Sequence, residues 1–85
     1  MDKYYILTFE NTHNAISGES VLKENNIKVV VMPTPTFVTK SCGISLRVLE
    51  DEIEKVKSLV REERIRIKGT ILKEGSSFRE VNLIY

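Results

Sequence analysis

The sequence predicts an α+β fold, with two helices covering one face of an antiparallel sheet. Three observations lead there. The chain before Pro33 reads strand, helix, strand, and the chain from Gly43 onward reads the same way again. Short β-branched runs bounded by breakers mark the strands, and Ile53, Val56, Leu59 and Val60 form an apolar stripe at helical spacing. At 85 residues the chain is long enough for one modest core, so a single domain over 1–85 is expected.

Lys3 to Phe9 is rich in aromatic and β-branched residues and reads as the first strand. Asn11-Thr12 supplies a helix start, and either residue can cap it. The first helix is expected from Thr12 or His13 to Asn25. Its inward positions read as Ala15, Ile16, Val21 and Leu22, and Gly18 allows a close approach to the sheet. Asn25-Asn26 ends it, since asparagine tolerates the left-handed conformation found past helix ends. Ile27 to Met32 is a continuous β-branched run, expected as a second strand buried on part of both faces. Pro33 and Pro35 stop it, because each lacks a backbone donor and restricts the residue before it.

Phe37 and Val38 are apolar in an otherwise polar loop and are expected to pin that loop to the body. Gly43 to Val48 alternates, with Ile44, Leu46 and Val48 on one face and Ser45 and Arg47 on the other. Asp51 with Glu54 three residues later predicts a capping box for the second helix. Ile65 to Leu72 predicts a fourth strand, Lys73 to Ser77 a turn, and Phe78 to Tyr85 a fifth strand. That last strand extends the sheet or pairs with another subunit as a homodimer. The order βαββαβ is that of the split-βαβ, ferredoxin-like sandwich, which right-handed crossovers favour.

Composition narrows the function. A net charge of +1 argues against a dedicated nucleic-acid binder. The alternating run Arg64 to Lys68 suits a half-exposed strand, and the acidic residues of Glu50 to Glu54 offset its field. No apolar run approaches the roughly 18 residues of a membrane span. The N-terminus lacks the apolar core and cleavage site of a signal peptide, so a cytoplasmic location is expected. One cysteine makes no internal disulfide and suits a reducing compartment. One cysteine and one histidine do not assemble a closed zinc site, so no metal is expected, and no cofactor motif is present.

The chemically distinctive stretch is Pro33 to Leu46, which holds both prolines, Cys42 and the adjoining Gly43. In the expected topology the end of the first strand, the start of the first helix and this loop share one end of the sandwich. Cys42 then falls on the same edge as Asn11, Thr12 and His13, with Glu62, Glu63 and Arg64 as candidate neighbours. A helix N-terminus presents unpaired N–H groups and about half a positive charge. That field, together with His13 or Lys40, favours a thiolate. Gly43 lets a reacting partner approach the backbone closely.

The opening KYYILTFENTHNAISGE, the PTP after the second strand and the SCGISLR segment resemble the Se/S-carrier-protein-like family of small bacterial proteins. The resemblance covers about the first 70 residues and implies a carrier whose cysteine takes up sulfur or selenium as a persulfide or selenopersulfide and hands it on. It carries over to Cys42 within Ser41-Cys42-Gly43, and to Thr12 and His13 at the first helix start. Partners would be donor and acceptor proteins. Two plainer readings stand beside it. Cys42 could be a small buried hydrophobe, and the chain a non-catalytic binding or regulatory module working through its sheet face. A hydrolase built from Ser41 or Ser45 with His13 lacks a nucleophile-elbow motif.

Overall fold

The aromatic and β-branched opening forms β1 (Lys3–Thr8), followed by α1 (Thr12–Glu24), β2 (Val29–Pro33) and β3 (Ile44–Leu49). A short 3₁₀ turn (Glu50–Glu52) leads into α2 (Ile53–Arg61), and β4 (Gly69–Glu74) and β5 (Ser77–Val81) complete the chain. This computed structural model describes residues 3–38 and 42–81. The sheet order is β2-β3-β1-β4-β5 and every pairing is antiparallel. The order β2-β3-β1-β4 is compatible with the ferredoxin-like arrangement, and β5 adds an outer strand through the two-residue turn at Gly75 and Ser76. Gly75 takes φ +58°, the left-handed region that a tight hairpin asks of its first central residue.

Both helices lie on the face of Leu7, Leu46 and Val48, where Ala15, Leu22, Ile53, Val56, Leu59 and Val60 close the core. Leu22 and Val56 are wholly buried, each contributing about 1.5–3 kcal/mol of apolar transfer. The stripe read for α2 is therefore the stripe observed. In α1 the inward residues are Ala15, Gly18 and Leu22. Ile16, expected inside, is 55% exposed because it falls one residue aside from that stripe. Gly18 sits over Phe9, and a Cβ there would lie 3.1 Å from the Phe9 ring.

Three further expectations change. β2 pairs only with β3, so it is an edge strand, with Val30 and Val31 47% and 44% exposed rather than buried. The Asp51–Glu54 capping box does not form, because Asp51 lies inside the 3₁₀ turn and Glu52 occupies the cap of α2 without a side-chain bond. The acidic run instead places three carboxylates at the positive end of the helical segment. The fourth strand begins at Gly69, four residues later than its alternation suggested. Residues 62–68 carry the chain from the helix layer to the sheet, with Glu63 at φ +59° and Arg64 N–H donating to the Leu59 carbonyl. Ile65 and Ile67 plug the core on the way. The part of the fifth strand expected over 82–85 lies outside the described residues.

The other sheet face is not bare. By register, Ile6, Ile71, Tyr4, Lys73 and Phe78 point away from the helices, yet Ile6 and Ile71 are 0% and 3% exposed. The loop after β2 crosses this face. Its Phe37 ring meets Phe78 of β5 edge-on, with centroids 5.3 Å apart. Phe37 and Val38 also wall a cleft with Thr8, Gly69 and Phe78. The expected pin is met at Phe37, which rests on Phe78 of the outer strand while remaining 55% exposed, and Val38 lies beside it along the cleft.

Candidate functional site

The site begins with the prolines. Neither Pro33 nor Pro35 has a backbone N–H, so Thr34 supplies the one main-chain donor between them. Its N–H donates to the Gly43 carbonyl at 3.0 Å. Its hydroxyl donates to the Cys42 carbonyl at 2.9 Å and lies 2.7 Å from the hydroxyl of Ser45. Thr34 has a single hydroxyl hydrogen, committed to Cys42, so Ser45 is the donor in that second contact. Ser45 is fully buried, and Thr34 satisfies it.

On its other side the Cys42 N–H donates to the Phe9 carbonyl at 2.9 Å. The residue is thus held from both ends of its own peptide unit. Its thiol donates to the carbonyl of Ile44 at 3.1 Å. The side chain is partly buried and packs against the main core.

Phe9 leads into the start of α1, where Asn11 caps the helix by accepting from the Asn14 N–H at 2.7 Å. The shared edge expected from topology is therefore present: Cys42 is fastened to the turn that opens α1. Thr12 is the first residue of that helix and is exposed, as is His13. The His13 ring makes no hydrogen bond or ion pair among the described residues. Cys42 comes to this turn through its backbone, while its thiol is directed to Ile44. Gly43 is exposed, and a Cβ there would meet nothing within 4 Å. Lys40 and Ser41 lie outside the described residues. Glu62 and Arg64 are not neighbours of this edge. They line a cleft with Asn25, at the opposite end of α1 from Thr12.

Among the described residues no three histidines, cysteines or carboxylates come together as metal ligands. No helix among them is long and apolar enough to cross a membrane.

Residues 4–72 match the family described as "Putative Se/S carrier protein-like". The chain belongs to that family. No curated protein and no solved structure matches the chain. The Se/S-carrier-like match takes in β1 through most of β4 and every residue that touches Cys42 in the contacts above, while β5 falls beyond it. Reading the sequence missed Thr34 and Ser45. The available signal was position: a hydroxyl residue flanked by two prolines has its backbone aimed for it.

Proposed function

We propose that this protein carries sulfur or selenium on Cys42. The observation that supports the reading most is that the chain's one cysteine lies within the family-matched residues and is locked through both its N–H and its carbonyl. A carrier needs its sulfur at a fixed place, because transfer between two proteins demands in-line approach of the attacking thiolate.

Loading requires Cys42 to give up the proton now donated to Ile44, since the thiolate is the nucleophile. His13, exposed in the first turn of α1, is the candidate proton acceptor. Thr12, the first residue of α1, stands by the turn to which the Cys42 backbone is fastened, and Lys40 and Ser41 of the same sequence segment as Cys42 complete the proposed site. The thiolate attacks the terminal sulfur of a donor protein's persulfide. A bond forms between Sγ and that sulfur, the donor's S–S bond breaks, and the donor leaves as a thiolate. No external oxidant is consumed. With selenium in the terminal position the balance is the same. An acceptor's nucleophile then takes the atom and returns Cys42 to its thiolate. The partners are the donor and acceptor proteins that the family description implies, and the setting is a reducing cytoplasm.

The test is intact mass after incubation with a persulfide-bearing donor. The wild type should gain one sulfur atom, reversible by a thiol reductant, and Cys42→Ser should gain none. A wild type that stays at its original mass under a donor that loads a small-molecule thiol would overturn the reading.

A further inference from the structure

We infer that Thr34 is the positioning residue for Cys42, holding its thiol turned inward and setting how fast reagents reach it. The inference concerns the regulation of the site proposed above and rests on that reading only for its biological use. Gly43 is the reason a clasp is needed. It is the most conformationally free residue type, and here neither crowding nor a left-handed φ calls for it. A cysteine beside such a residue would swing with it.

Thr34 removes that freedom at two successive carbonyls, Cys42 by its hydroxyl and Gly43 by its N–H. The prolines on either side fix the backbone of Thr34 itself. Ser45, buried at the start of β3, donates to the Thr34 hydroxyl and so holds the clasping rotamer. With the carbonyl of Cys42 fixed, its side chain stays against the core and its S–H reaches Ile44. When the hydroxyl is lost, the carbonyl of residue 42 is released while Phe9 and Ile44 keep their bonds to it, so the sulfur turns outward more often rather than coming free. On the carrier reading this keeps a bound sulfur sheltered from stray thiols until a partner opens the clasp.

The experiment is the rate of Cys42 alkylation by iodoacetamide in wild type, Thr34→Val and Thr34→Ser, at a temperature well below each variant's melting point. Thr34→Val keeps the shape and removes the hydroxyl, so its rate should rise about two- to tenfold, the factor that a net hydrogen bond corresponds to. Thr34→Ser restores a hydroxyl and should return the rate to that of wild type. A rate in Thr34→Val at or below that of wild type, or a Thr34→Ser rate equal to that of Thr34→Val, overturns the inference. Should Thr34→Val fail to fold, Ser45→Ala takes its place with a rise expected, and a wild-type rate there overturns it. Alkylation is read without any persulfide, so a carrier that never loads and a clasp that does not exist give different results.

Discussion

At the scale of single residues, Lys3 shows how one side chain ties three elements together. Its ammonium pairs with Glu50 at 2.8 Å and with Glu74 at 3.5 Å, joining β1 to the 3₁₀ turn and to β4. The hydrogen bond that its ammonium donates to Glu50 is the largest cause that raises the lysine's pKa above its ordinary 10.5. The sign follows from linkage: a raised folded-state pKa stabilises fully below 10.5 and loses that contribution as pH climbs past it. Stability should therefore fall more steeply above pH 10.5 in wild type than in Lys3→Met, as read by urea midpoints on either side of that pH. Identical slopes would mean the pairs contribute nothing, as many exposed ion pairs do. The same scale shows where sequence reasoning reaches and stops. Cys42 stands out as a unique residue type in a breaker-rich loop. Thr34 does not, since its role depends on where two carbonyls eight and nine residues later come to rest.

At the scale of elements, the seat of α1 on the sheet is the most exacting contact. Gly18→Ala would gain about 1 kcal/mol of helix propensity. Its new methyl would also stand 3.1 Å from the wholly buried Phe9 ring. Overpacking against a fixed ring costs about 1–3 kcal/mol, so the clash wins and the melting temperature should drop by several degrees. A thermal melt that rises instead would show that Phe9 can shift. Periodicity made α2 legible because the stripe from Ile53 to Val60 has no competing reading. It misjudged β2, since a β-branched run looks alike at a sheet's edge and in its middle. It misjudged Ile65 to Lys68 for a related reason. Alternating isoleucines can plug a core from a crossing segment as well as from a strand, and only the pairing partner tells the two apart.

At the scale of the whole molecule, residues 34–38 after β2 reach across the sheet to the Phe37–Phe78 contact, while Cys42 stands just before β3. An aromatic pair of this geometry contributes about 0.5–1.5 kcal/mol beyond area burial. Phe78→Ala should release Phe37, so hydrogen exchange of the amides at 36–38 should quicken while those of β1 stay slow. Exchange unchanged in the loop would assign its anchoring to the Thr34 end alone. A sheet face shielded by its own chain was not legible beforehand, because two apolar loop residues announce an anchor without naming its partner.

The division of labour along this loop reaches further. Phe9, Thr34, Ile44 and Ser45, which hold Cys42, all belong to the stretch shared with the family, whereas the strand that receives Phe37 lies beyond it. The fifth strand therefore belongs to the fold of this chain but not to the stretch by which its family is recognised. What the outer face presents at Phe78 is thus set apart in the chain from the residues that cradle the cysteine.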